Sequence, residues 1–142
     1  MSVGLVVVSH SERAAEGIVE IAAEMAGETR IEAVGGDGQG GIGTVPADIE
    51  DALAAAAGEA AGDADGDGDE TNGVDGVVVL VDLGSAVMNA EVAIELSDVD
   101  AVVADAPVLE GAVNAAVAAT DPSATLESVR EQAEAAADIS KV

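Results

Sequence analysis

The only histidine of this chain, His10, follows an apolar run near the N-terminus. A neutral imidazole ring is a nucleophile that can accept a phosphoryl group. Ser9 and Glu12 have the spacing of a capping box, which predicts Ser9 as a helix N-cap and His10 in the first helical turn. Unpaired N–H groups and the helix dipole at that terminus would favour an uncharged ring with an anion beside it. The pattern fits a phosphoryl-accepting histidine, and it also fits a polar residue that merely stands at a turn.

A second polar group, Asp82-Leu83-Gly84-Ser85, follows the most apolar run in the chain, residues 77–81. If this run forms a strand beside the first one, Asp82 can accept a hydrogen bond from Nδ1–H of His10 and leave Nε2 with its lone pair. Gly84 and Ser85 would then stand at a helix N-terminus, where N–H groups and a hydroxyl can hold phosphate oxygens. Asp82 and Ser85 could instead be simple helix caps.

Two further loops contain residues that could bind a ligand. Residues 35–44 are rich in glycine, and Gly43-Thr44 could supply a third group of backbone donors to the same site. Their order matches neither the nucleotide-binding P-loop nor the dinucleotide fingerprint. Residues 63–68 match the first half of a calcium-binding loop, but its twelfth position is Val74 instead of Glu. We therefore expect no metal site.

Apolar runs alternate with helical periodicities, and these patterns predict the elements that position the polar groups. Strands are predicted over residues 3–8, 30–34, 77–81 and 101–104. The first helix is predicted from Ser9 towards Gly27, with Ile18, Ile21, Ala22 and Met25 on one face. Four more helices are predicted: over 46–57, after Ser85 up to 96, over 109–119, and from Asp121-Pro122 to about 137. Four β→α units predict one α/β domain over residues 1–142, an open, mainly parallel sheet with helices on both faces. Ligands in such folds bind at the carboxyl ends of the strands, where His10 and Asp82 both fall.

The composition is dominated by acidic residues, with 29 Asp and Glu against 4 Lys and Arg and a net charge of −25. Such a surface repels nucleic acid and anionic membranes, so we expect neither as a partner. At molar salt the Debye length falls to about 3 Å, which screens the self-repulsion. We interpret most of the acid as halophilic adaptation, and the segment 58–76 as an acidic, glycine-rich surface loop.

Residue types that are missing exclude several other functions. The chain has no Phe, Tyr or Trp, which disfavours stacking on a flavin or a nucleobase, and no Cys for disulfides or thiol chemistry. No apolar stretch approaches the roughly 18 residues of a membrane span. The first residues also lack the basic start of a signal peptide. A cytoplasmic protein is expected.

Four motifs occur in one order along the chain: Val-Val-Val-Ser-His-Ser at 6–11, Gly-Ile-Gly-Thr at 41–44, Val-Asp-Leu-Gly-Ser-Ala at 81–86 and Ala-Pro-Val-Leu-Glu-Gly at 106–111. As a set they resemble the phosphotransfer subunit of the phosphoenolpyruvate-dependent dihydroxyacetone kinase, a relative of the mannose-type enzyme IIA domain. The resemblance extends from Val3 to about residue 137. It implies a flavodoxin-like fold and a homodimer.

The resemblance also implies a reaction. His10 would be phosphorylated by the phosphocarrier protein HPr and would pass the phosphoryl group to ADP on a partner subunit of the dihydroxyacetone kinase. The chain would need no cofactor of its own, because the partner carries the ADP. Asp82 would orient His10, and the phosphate pocket would be lined by Ser11, Gly43, Thr44, Gly84 and Ser85. Some relatives carry fused HPr-like and enzyme I-like domains, for which 142 residues leave no room, so we expect a separate donor.

Two alternatives remain at this point. An enzyme IIA of a mannose-type sugar transporter would use the same His10 chemistry but pass the phosphoryl group to an enzyme IIB domain. Asp-Leu-Gly-Ser-Ala favours the dihydroxyacetone branch over this one. A non-catalytic flavodoxin-like binding module would use His10 only as a cap, and replacing His10 would then leave its function intact.

Overall fold

Two runs of valine and leucine form the central strands, β1 (Val3–Ser9) and β3 (Gly76–Val81), and every residue in them is buried. The computed structural model describes residues 2–58 and 74–142. In that part of the chain β1 and β3 pair in parallel with each other and with two half-buried outer strands, β2 (Ile31–Gly35) and β4 (Ala101–Val103). The strand order is β2-β1-β3-β4. β-Branched residues suit such strands because both faces of a parallel sheet are covered.

Helices cover both faces of this sheet. Their bounds are α1 (Glu12–Ala23), α2 (Pro46–Ala56), α3 (Gly84–Leu96), α4 (Val108–Ala119) and α5 (Leu126–Ala135), followed by a 3₁₀ turn, Ala136–Asp138. Successive residues of β1 point to opposite faces. Leu5 and Val7 pack with α1, α4 and α5, whereas Val6 and Val8 pack with α2 and α3. The predicted parallel α/β fold with helices on both faces is confirmed.

Alanine and glycine allow the helices to approach the sheet closely, in a chain without aromatic residues. A Cβ atom at Gly4 would lie 2.4 Å from the carbonyl oxygen of Ala56, so α2 lies directly against β1. Alanines make up the fully buried positions of α3 and most of the buried positions of α4: Ala86, Ala90, Ala93, Ala112, Ala115 and Ala116. The core is therefore built from large aliphatic strands and small helical residues.

The predicted start of α1 is wrong. The N-cap is Ser11, whose Oγ accepts a hydrogen bond from the backbone N–H of Ala14 at 3.2 Å. Ser9 instead ends β1, paired with Gly35. His10 therefore precedes the helix and lies outside its first turn. The reason is tertiary: the extended strand and a hydrogen bond from the Ser9 hydroxyl to Asp82 override the local capping pattern.

Two other helix predictions need correction. Ala22 of α1 is buried and Ile18 packs against the core, but Ile21 is 51% exposed. The helix ends at Ala23, before the predicted stop at Gly27, so Met25 lies beyond it and is 55% exposed. The last helix begins at Leu126, because a capping box formed by Thr125 and Ser128 starts it there. Asp121-Pro122 belongs to a preceding turn, in which the Asp121 carboxylate accepts from the N–H of Ser123. The other predicted elements end within about one residue of the observed bounds.

The acidic segment predicted over 58–76 falls mostly outside the described residues. Gly58 follows α2, and Gly76 is the first residue of β3, so the strand begins inside the predicted loop. The calcium-loop pattern at 63–68 lies wholly outside the described residues. Across the two described ranges, every helix is too short or too polar to cross a membrane.

Candidate active site

The pairing of β1 with β3 places His10 and Asp82 at one edge of the sheet. Val8 pairs with Val81, so the residues that follow each strand emerge together at the carboxyl ends. The carboxyl edge of a parallel sheet is where ligands bind in open α/β folds. The adjacency that the sequence analysis could only assume is therefore present.

Asp82 forms two hydrogen bonds with His10 and one with Ser9. Its Oδ1 lies 2.9 Å from Nδ1 of the ring, and its Oδ2 accepts from the backbone N–H of His10 at 3.0 Å and from the Ser9 hydroxyl at 2.9 Å. Ser9 Oγ in turn accepts from the N–H of Ser11 at 3.1 Å. The carboxylate thus fixes both the imidazole and the backbone that carries it. The sequence pattern does not predict this contact of Ser9, because only the fold brings Ser9 and Asp82 together.

These contacts set the charge of Asp82. Partial burial acts to raise the pKa of its carboxyl, but hydrogen bonds from the backbone and ring of His10 and from Ser9 outweigh that effect. Attraction to the His10 ring acts in the same direction, and the pKa of Asp82 lies below its ordinary value. An ionised carboxylate can only accept hydrogen bonds. Nδ1 of His10 must therefore carry the proton, and in the neutral ring Nε2 has the lone pair.

Ser85 completes a chain of hydrogen bonds across the ring. Its Oγ lies 2.6 Å from Nε2 of His10. Since Nε2 is the unprotonated nitrogen of the neutral ring, the Ser85 hydroxyl donates. The N-cap of α3 is Leu83, and in the described part of the chain no side chain caps this helix. The interpretation of Asp82 or Ser85 as a simple N-cap is therefore wrong, and the first N–H groups of α3 are available to a ligand.

Gly84 is a glycine that the fold itself does not require. Its φ is not positive. Apart from its chain neighbours and its own helix backbone, no described atom lies within 4 Å of the position of a Cβ there. A glycine with open space at a helix N-terminus lets a ligand approach the backbone closely. This geometry supports its predicted place in a phosphate pocket.

The glycine-rich loop, here residues 36–44, reaches the same edge. The N–H of Gly43 donates to the carbonyl oxygen of His10 at 2.8 Å. Thr44 contacts Asn89 of α3, whose amide nitrogen lies 2.5 Å from Thr44 Oγ. Ser11 caps α1 by accepting from Ala14, which leaves its hydroxyl proton free to donate. The structure thus joins Ser85 and Gly43 to His10, but the N–H that was predicted to hold phosphate at Gly43 is donated to the His10 carbonyl instead. Thr44 follows Gly43 and contacts Asn89, a residue that the sequence motifs do not indicate.

A family model described as the PTS system fructose IIA component, of mannose type, matches residues 4–62 and 69–130. The chain belongs to this mannose-type enzyme IIA family. Its relatives include the phosphotransferase subunit DhaM of the PTS-dependent dihydroxyacetone kinase from Lactococcus lactis, 32% identical over 94% of this chain and 95% of that protein. The phosphoryl donor subunit DhaM of dihydroxyacetone kinase 2 from Listeria innocua is 36% identical over 81% and 84% of the two chains. The resemblance that the four motifs indicate is confirmed.

Solved structures share the fold of this chain. A protein of unknown function, EF1359, superposes with a TM-score of 0.71 and 28% identity, covering 94% of both chains. The mannose/sorbose-specific IIA subunit from Enterococcus faecalis has a TM-score of 0.53 and 19% identity over 100% of this chain and 96% of that one, which shows the fold alone.

A longer relative is the phosphoryl donor subunit DhaM of the PEP-dependent dihydroxyacetone kinase from Escherichia coli. It is 34% identical over 92% of this chain, and the match spans 28% of that longer protein.

Proposed function

We propose that this protein is the phosphoryl donor subunit of a phosphoenolpyruvate-dependent dihydroxyacetone kinase and works as a histidine phosphocarrier. The observation that carries the proposal is the hydrogen-bonded series Asp82–His10–Ser85, which presents Nε2 beside the N-terminus of α3. Its relatives named as DhaM subunits support the identity of the kinase. HPr as the donor, a homodimer and a cytoplasmic location complete the proposal.

In the first step the lone pair of Nε2 attacks the phosphorus of a phosphohistidine on the donor. An N–P bond forms at Nε2 while the N–P bond of the donor breaks, and the donor ring keeps the released electron pair. The His10 ring, which retains its proton on Nδ1, becomes positively charged. The Asp82 carboxylate, 2.9 Å from Nδ1, stabilises that charge as a carboxylate does for an imidazolium.

Ser85 has a different task before and after transfer. In the unphosphorylated protein its hydroxyl donates to Nε2, so it must turn away before Nε2 can attack. The same proton can then be donated to a phosphoryl oxygen. The N–H groups at Gly84 and Ser85 add preorganised dipoles, which stabilise the transferred charge without placing a cation in the site.

In the second step the phosphoryl group leaves for ADP held by the partner subunit. A β-phosphate oxygen of ADP attacks phosphorus, the N–P bond at His10 breaks, and the ring returns to its neutral form with Nδ1–H intact. The nucleotide belongs to the partner, so the proposal gives this chain no cofactor. ATP formed in this way would support phosphorylation of dihydroxyacetone.

Intact-mass analysis at high salt tests the function. The protein is incubated with phosphoenolpyruvate, enzyme I and HPr, in parallel with His10→Gln. We expect one acid-labile phosphoryl adduct that the variant lacks and that the ADP-binding kinase subunit discharges when ADP is added. An adduct that survives this addition would indicate a sugar-transport enzyme IIA, and a wild-type protein without any adduct would favour the binding module.

A further inference from the structure

We propose that Asn89 is a positioning residue that holds Thr44 beside the phosphoryl group. The inference rests on the proposed function and concerns a side chain that the four motifs do not include. Asn89 lies on α3 one turn after Ser85, whose hydroxyl contacts the His10 ring. Its amide is therefore fixed by the same helix that supplies the N–H groups of the pocket.

The orientation of the Asn89 amide follows from its two contacts. Nδ2 lies 2.5 Å from Thr44 Oγ and 3.4 Å from the Thr44 carbonyl oxygen. Because a carbonyl oxygen only accepts, the –NH₂ group must be the end of the amide that faces Thr44. The Thr44 hydroxyl thus accepts from Asn89, and its own proton remains available. Asn89 in this way makes Thr44 a donor for an anionic oxygen.

The loop that carries Thr44 needs such an attachment. Gly36, Gly38, Gly40 and Gly43 have positive φ, a conformation that leaves many alternatives open to an untied chain. Hydrogen bonds within the loop stabilise its tip, since the Asp37 carboxylate accepts from the N–H groups of Gln39 and Gly41. Those same hydrogen bonds lower the pKa of Asp37 below its ordinary value.

Burial contributes little to holding this loop, because Ile42 is 73% exposed. Among residues 2–58 and 74–142, two hydrogen-bonded contacts join the end of the loop to the rest of the fold. One is the N–H of Gly43 to the His10 carbonyl at 2.8 Å, and the other is Asn89 to Thr44. The first fixes the loop backbone, and the second fixes the side chain of Thr44.

The test measures phosphorylation of His10 over a range of HPr concentrations. Asn89→Ala should lower kcat roughly threefold to tenfold, the effect of one neutral hydrogen bond, and leave KM for HPr unchanged. Asn89→Asp keeps the shape but cannot donate; its carboxylate would accept a hydrogen bond from the Thr44 hydroxyl and add a negative charge near the phosphoryl group. It should lower kcat further than Asn89→Ala does.

Matched variants separate positioning from folding. Asn114→Ala removes a comparable contact, the amide donated to the Gln132 carbonyl at 3.1 Å on the other face of the sheet, and should leave kcat unchanged. Thr44→Val should match Asn89→Ala, and combining the two should cost no more than either alone. Thr44→Ser keeps the hydroxyl and should retain most of the rate. Melting temperatures of all variants are measured alongside.

The possible results distinguish failure of this inference from failure of the proposed function. A reduced kcat in Asn89→Ala, with unchanged KM and no added effect of Thr44→Val, supports the inference. Phosphorylation of wild-type protein together with a normal kcat in Asn89→Ala, or with additive effects of the two substitutions, overturns the inference and leaves the proposed function intact. A wild-type protein that accepts no phosphoryl group overturns both.

Discussion

Asp82→Asn keeps the shape of the side chain and removes one acceptor, so it tests the tautomer argument directly. In the wild-type protein Oδ2 accepts from two donors, the His10 backbone and Ser9, while Oδ1 accepts from Nδ1. An asparagine oxygen that stayed with the two donors would turn the amide –NH₂ towards Nδ1. The proton of the ring would then have to move to Nε2, and the attacking nitrogen would lose its lone pair.

Two effects contribute to the expected loss of phosphorylation rate in Asp82→Asn. A hydrogen bond to a charged group contributes roughly 1.5–3 kcal/mol, which is about 10- to 150-fold in rate. The reversed tautomer adds to this, and the same substitution in a serine protease triad lowers kcat about 10⁴-fold. Because 20% of the Asp82 side chain is exposed and water can replace part of the contact, we expect a loss of roughly 10²- to 10³-fold.

Rapid-quench intact-mass kinetics with saturating HPr measure this loss, and ¹⁵N NMR of the ring reports the tautomer independently. We expect Nδ1 to carry the proton in the wild-type protein and Nε2 to carry it in the variant. The matched control is Asp121→Asn, in a turn where the carboxylate also accepts two hydrogen bonds, both from Ser123. An Asp82→Asn protein that is phosphorylated within threefold of the wild-type rate would refute the reasoning.

Four further predictions follow from particular contacts. Ser85→Ala should lower kcat roughly tenfold, the effect of one hydrogen bond, with an unchanged melting temperature because Ser85 is exposed; a normal phosphorylation rate would contradict this. Gly84→Ala should keep full stability in thermal melts, because the added methyl group contacts no described atom, but it should slow phosphorylation, because the methyl group would occupy the space proposed for the phosphate. Gly4→Ala should destabilise the fold by roughly 1–3 kcal/mol in urea titrations, because α2 must move away from β1. Asp82 has a lowered pKa, so it binds its proton more readily in the unfolded state; the stability that it provides is present above about pH 4 and is lost as the pH falls through the lowered value. The difference in unfolding free energy between wild-type protein and Asp82→Asn should therefore shrink in that range, and a constant difference would contradict the assignment.

Much of the fold follows from local patterns in the sequence. The valine runs of β1 and β3 are buried on both faces, and such runs separated by helical periodicities specify parallel β→α units. This places His10, Asp82 and Ser85 after strands, at the edge where ligands bind. The candidate site could be predicted to this extent, because strand ends and helix starts are local properties of the chain.

Tertiary structure decided what lies next to what. The sequence pattern indicates Ser9 as a helix cap, but the hydroxyl instead contacts Asp82, 73 residues away, and α1 starts later. In the sequence Asn89 is an ordinary helical residue, because its partner Thr44 is 45 positions away and only the fold brings the two together. Contacts of this kind depend on strand order and loop path, which arise from the packing of the whole domain. A local sequence pattern cannot predict these long-range contacts, because a short window of sequence does not contain the partner residue.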